Sequence, residues 1–151
     1  MSIDYIVSSL PTLAFNAPAP ISWETFAETV GDAAFLPHLT ESFADLETQL
    51  RNAVAEARGG EKYRRPASGC ALYWKNRVLA CFQEKDVLRR DELLDKVWWD
   101  AAGELTDVAA PLGSGALATY AVRLKIALKR SKISKDAGNA SFDRLTAETK
   151  R

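Results

Sequence analysis

Nucleophilic catalysis needs a nucleophile, a base within reach of it and a group that orients the base. The only histidine in the chain is His38, beside Pro37. Alone it reads as an exposed or capping histidine, since no partner set for a triad can be read around it. The two cysteines, Cys70 and Cys81, stand eleven residues apart. On one helix that separates them by roughly 16 Å, too far for a disulfide. They read as small buried hydrophobes of a reducing compartment. Metal binding wants clustered His, Cys or carboxylate ligands, and two separated cysteines with one distant histidine do not supply them. Gly113-Ser114-Gly115 lacks the spacing of a phosphate-cradling loop and reads as a turn between helices. No cofactor and no metal are expected.

Two charged clusters remain. Asp91, Glu92 and Asp95 lie close together on a helical pattern. A general acid/base pair needs environments that push two pKa values apart, and spacing alone cannot show that. The trio reads as a solvated face that favours the positive end of a helix dipole. The basic run Arg123–Lys135 is the stronger signal, because the chain holds no acidic residue from Val108 to Lys135. Its candidate interaction residues are Arg123, Lys125, Lys129 and Arg130. Three readings stay open for them, in this order: a solvated helix face, an acidic protein partner, and nucleic acid. The basic positions alternate with core positions, so they emerge from the edges of a buried helix.

These residues need elements to hold them. Ser22 is an N-cap for a helix over about 23–30, with Trp23, Phe26, Ala27 and Val30 as its apolar stripe and Gly31 as its end. Phe35, Leu36 and Pro37 make a hydrophobic link, and Thr40 caps a second helix, about 41–58, stopped by Gly59-Gly60. The loop EKYRRPASG carries Lys62, Arg64 and Arg65. A third helix, about 67–84 and frayed near Gly69, shows Ala71, Trp74, Val78, Cys81 and Phe82 on one side, widened by Leu72 and Leu79. That wide arc predicts that neighbours cover most of it. Asp91 is the expected cap of a fourth helix, although helical character could begin at Asp86. Its stripe is Leu94, Val97, Trp98, Ala101 and Leu105. Trp99 lies about 100° round from Trp98, so one indole is core and the other packs elsewhere or stays partly exposed. Pro111, Gly113 and Gly115 form a turn with Ser114 as a cap; a fifth helix covers about 116–133, Gly138 breaks it, and a short one with Phe142 and Leu145 covers about 140–149.

The N-terminal stretch 3–10 fits either a short strand or a helical turn. Pro11, Pro18 and Pro20 hold the next ten residues extended, and Phe15 can pin them to a surface. The expected fold is mainly α: one domain over 1–151, a bundle of five or six helices at 22–149 behind an extended segment at 1–21. A chain of 151 residues suits one domain that can bury a core without disulfides or metals. Net charge is zero, which gives no global pull towards nucleic acid or anionic lipid. Residues 1–57 nevertheless hold eight acidic side chains and one basic one, Arg51. Two readings stay open, in this order: the two parts of the chain attract each other within the fold, or they make a polar molecule that docks in one orientation. No signal peptide and no apolar run long enough for a membrane span is visible, so a cytoplasmic protein without membrane insertion is expected.

The order of motifs adds something to this reading. At the start stand Tyr5, Leu10, Pro11, Leu13, Phe15, Pro20, Ser22 and Phe26; later come Glu92, Leu94, Trp98, Tyr120, Leu124, Gly138 and Phe142. This ordered set resembles an uncharacterised bacterial family encoded beside V-type ATPase subunits. That family is distantly similar to the C (or d) subunit of V-type ATPases, a helical adapter between the rotor shaft and the membrane ring. The resemblance covers both ends of the chain. It implies a non-enzymatic accessory or adapter component, with ATPase subunits as partners and a place peripheral to the membrane through the complex. Against a full adapter of three helical modules, this chain would supply one module or only part of the adapter surface. A small nucleic-acid-binding protein using 123–135, and an enzyme with an unrecognised site, are the alternatives.

Overall fold

The computed structural model describes residues 2–31, 36–59 and 71–149, and their side chains except at 36–40, 42 and 134–149. Six α-helices and no strand occur among the described residues. Helix α1, Ile3–Ser9, settles the open reading of the N-terminus. Ser2 caps it by accepting from the Tyr5 N–H, and Asp4 sits in its first turn. It stops at Leu10, which Pro11 forces into extended backbone. The N-terminal segment is thus not extended throughout, as expected for 1–21; only the stretch after Ser9 is irregular.

Helix α2, Trp23–Val30, has the expected bounds. The Ser22 side chain accepts from the Thr25 N–H at 3.1 Å. Gly31 closes it with φ 80°, a left-handed conformation that glycine adopts without Cβ strain. Helix α3, Leu36–Arg58, starts earlier than expected. Leu36 and Pro37 belong to its first turn, where a missing N–H costs nothing, so Thr40 is an interior residue and not a cap. Helix α4 spans Leu72–Cys81 and buries Trp74, Val78 and Cys81, three positions along one face. Ala71, Leu79 and Phe82 are partly buried, so most of the wide arc is covered as expected; Leu72, 66% exposed, is the exception. The loop EKYRRPASG, with the break expected at Gly69, lies outside the described residues.

Helix α5 spans Val87–Ala102. Its cap is Asp86, whose carboxylate accepts from the Leu88 N–H at 3.0 Å; Asp91 is one turn inside. A 3-10 turn, Gly103–Leu105, comes next. Helix α6 then runs unbroken over Ser114–Thr149. Gly138 lies inside it: an interior glycine costs about 1 kcal/mol but does not have to end a helix. The two C-terminal helices expected from the sequence are therefore one. Ser114 is its first residue rather than a cap; the Leu117 N–H donates to the Gly113 carbonyl. Gly115 faces the Leu105 carbonyl so closely that a Cβ there would overlap its oxygen.

The core has two parts, and α6 serves both. On one side Ile6, Phe26 and Val30 meet Leu117, Ala118, Ala121 and Leu124. On the other, residues of α3, α4 and α5 meet Val122, Ile126 and Ala127. Leu13, Ala19 and Leu105 pack against both. Between the tryptophans the apolar stripe favours Trp98, but Trp99 is the buried one, at 6% exposure, and Trp98 is half-buried. Helix α5 is covered by α4 on one flank and α6 on another, so its inward arc is wider than one stripe.

Candidate functional site: a charged groove between the third, fifth and sixth helices

The two charged clusters of the sequence meet each other. Asp95 is 8% exposed and points from α5 at α6. It accepts from Lys129 Nζ at 2.8 Å and from Arg130 Nη1 at 3.3 Å. Lys129 also lies 3.8 Å from Asp91, and Arg130 lies 3.8 Å from Glu92. The acidic trio is thus an inter-helix clamp with the basic run, and Asp95 is not part of a solvated face.

The remaining two basic candidates divide. Arg123 turns inward: its Nε donates to the Trp99 carbonyl at 3.0 Å, and its guanidinium sits 5.4 Å from the Trp99 ring centre. Burial pulls the Arg123 pKa down, against the opposing pull of Asp100. Lys125 is exposed, with its ammonium 4.8 Å from the centre of the Trp23 ring. Among the described residues it has no carboxylate partner. The structure therefore brings Lys129 and Arg130 together, turns Arg123 away from them, and leaves Lys125 as the unmatched cation.

The N-terminal segment fastens over this region. Phe15 meets the Trp99 ring edge-on at 5.6 Å, with Arg130 4.6 Å and Lys96 5.3 Å from its centre. The Tyr120 hydroxyl donates to the Pro11 carbonyl at 2.7 Å, and the Ala19 N–H donates to Ser131 Oγ at 3.0 Å. Tyr120 also stacks on Phe26 at 5.7 Å. Phe15 thus pins the segment as its position suggests.

Beside the clamp lies a groove. One depression of about 420 Å³ is walled by Glu47 and Arg51 of α3, Asp91 and Asp95 of α5, and Lys125 and Lys129 of α6, over Leu94, Trp98 and Ile126. A second, of about 320 Å³, adjoins it over Phe43, Trp98, Val122 and Ile126 and shares Glu47 and Lys125 with the first. Sequence reasoning missed Glu47, Arg51 and Ala44 in this setting. Periodicity assigns Leu94 and Trp98 to a core face, and it cannot show that α3 leaves both half-uncovered. The one usable signal was Trp98 beside Trp99, since two adjacent indoles cannot both face one seam.

Other chemistry is sparse among the described residues. No group of three or more His, Cys, Asp or Glu side chains is placed to hold a metal ion. No helix is long and apolar enough to cross a membrane. The side chain of His38, together with Cys70, Lys62, Arg64 and Arg65, lies outside the described residues. Cys81 is buried; its thiol donates to the Arg77 carbonyl, and burial pushes its pKa up. Lys75 with Glu56 at 3.2 Å is an instance, among the described residues, of the expected attraction between the acidic N-terminal part and the rest. The α5–α6 clamp instead forms wholly within the later part. Compared with known protein families, curated proteins and solved structures, the chain gave no significant match. What fold and site define together is an all-α bundle with a mixed-charge surface groove.

Proposed function

We propose that the chain is a non-enzymatic interaction protein that binds a protein partner through the groove over Leu94, Trp98 and Ile126. One observation carries this reading: an open apolar floor ringed by charged side chains, one of which, Lys125, is unmatched. Protein interfaces combine a desolvated apolar centre with a polar rim in this way. For the identity of the partner, the support is the motif order, which resembles the V-type ATPase-linked family. On that basis the partner is a V-type ATPase subunit, and the chain is an accessory or adapter component held at the membrane periphery through the complex. The nucleic-acid reading draws less support, because Arg123, Lys129 and Arg130 already have partners within the fold. Phosphate tracking depends on cations free to displace counterions.

The test is affinity purification of the tagged chain from native cells at native expression, with identification of the proteins that come with it. V-type ATPase subunits are expected with the wild type. Ala44→Arg should release them, because Ala44 is exposed and lines the groove, so a long side chain there fills it from the solvent side. Recovery of the chain alone overturns the ATPase assignment, and co-purification unaffected by Ala44→Arg removes the groove from it.

A further inference from the structure

We infer that the occupant of the groove is an amphipathic helix that presents two apolar side chains about one turn apart and a carboxylate to Lys125. This rests on the proposed interaction role and adds the form and charge of the partner.

Backbone chemistry argues for a helix. The groove walls come from three helices, α3, α5 and α6. Their interior N–H and C=O groups are already bonded along each helix, so the walls offer side chains and no free main-chain partners. A docked strand would leave its own backbone groups unpaired against an apolar floor, whereas a helix satisfies them internally. The two depressions share Glu47, Trp98, Lys125 and Ile126, so they are immediate neighbours. Helix side chains four residues apart stand about 5–6 Å from each other, which fits adjoining sockets.

Charge argues for the carboxylate. Within the lining, Glu47 is held by Arg51 at 2.7 Å, and Asp95 is held by Lys129 and Arg130. Lys125 borders both depressions and has no carboxylate of its own among the described residues. Its flexible stem can move the ammonium off the Trp23 ring to meet an incoming acid. Asp91 lines the first depression only, shares Lys129 at 3.8 Å and is half exposed, so a basic residue on the partner is favoured there. The groove therefore has a polarity that orients its occupant.

The experiment uses the full chain and fluorescein-labelled, alanine-rich helical peptides, read by fluorescence polarisation. Each peptide carries two leucines four residues apart, with glutamate, glutamine or lysine one turn beyond the pair on either side. The glutamate peptide should bind the wild type about fivefold more tightly than the lysine peptide, as for a partly exposed ion pair. Lys125→Glu should reverse that order, and Ala44→Arg should abolish binding of both. Lys125 is exposed, so the variant should keep the wild-type circular dichroism spectrum and melting curve. No binding by any peptide, or an order unchanged in Lys125→Glu, overturns the inference. The two readings fail separately: co-purification that Lys125→Glu leaves intact, without peptide binding, keeps the interaction reading and sinks the helix. Peptide binding with reversal, without co-purification, keeps the helix and sinks the ATPase partner.

Discussion

Among the described residues, Asp95 is a nearly buried carboxylate whose loss should destabilise this bundle measurably. Its carboxylate side chain is 11% exposed, against 50% for Lys129 and 23% for Arg130. Asp95→Asn keeps the shape and removes the charge that both cations face. Breaking a fully buried ion pair costs about 3–5 kcal/mol, whereas an exposed pair contributes about 0–1 kcal/mol. Here the anion is enclosed and the cations reach water, so once freed they are partly rehydrated. The expected loss falls between these limits, at about 2 kcal/mol. For a chain of this size that lowers Tm by about 4–8 °C. Urea and thermal unfolding monitored by tryptophan fluorescence measure it, since Trp98 and Trp99 lie on the same helix. A double-mutant cycle with Lys129→Met should show coupling of about 1 kcal/mol. A loss below about 0.5 kcal/mol, or strict additivity in the cycle, would refute the view that this clamp helps to hold α5 on α6.

Other perturbations have equally definite outcomes. Gly115→Ala must push the Leu105 backbone away, because a carbonyl cannot swing aside as a side-chain tip does; a loss of about 1–3 kcal/mol in thermal unfolding is expected. Burial alone would raise the pKa of Asp100, but hydrogen bonds and charge from Arg77 and Lys96 outweigh it and hold the group below its ordinary 3.8. Because the folded-state pKa is the lower one, this stabilisation is whole above that ordinary value and is lost as pH falls through the folded value. Asp100→Asn should therefore flatten the acid limb of a stability–pH curve and leave its shape at higher pH unchanged. Cys81, buried and raised in pKa, should react with a thiol reagent in a Cys70→Ser background about a thousandfold or more slowly than in the urea-unfolded chain. A native rate close to the unfolded one would contradict the burial of Cys81.

Local signals in the sequence were legible where local chemistry decides the structure. Ser22 and Gly31 bracket α2 because a cap and a left-handed glycine act within one turn. Where several residues compete for the same task, the sequence left the choice open or pointed to the wrong one. Both Asp86 and Asp91 can cap a helix, and only the backbone entering α5 selects the first. Gly138 is a weak breaker, and a continuing helix overrides it. The all-α class was legible from the repeated 3.6-residue stripes. The groove was not, because it depends on how far α3 stands from α5 and α6, a quantity set by packing between elements distant in the chain. The α5–α6 clamp was half legible: Asp91, Glu92 and Asp95 stand out, as do Lys129 and Arg130, but nothing local says that they face each other.

The double role of α6 has a consequence for how the chain is made. Tyr120 bonds to Pro11 across 109 residues, and Ser131 bonds to Ala19 across 112. At ribosomal rates of about 5–20 residues per second, the N-terminal segment waits roughly 5–20 s before its partners on α6 are synthesised. During that interval Phe26 and Val30, buried at completion, have no α6 surface to cover them. Translation rate through the segment that precedes α6 thus sets how long this apolar surface stays open to chaperones or to neighbouring nascent chains.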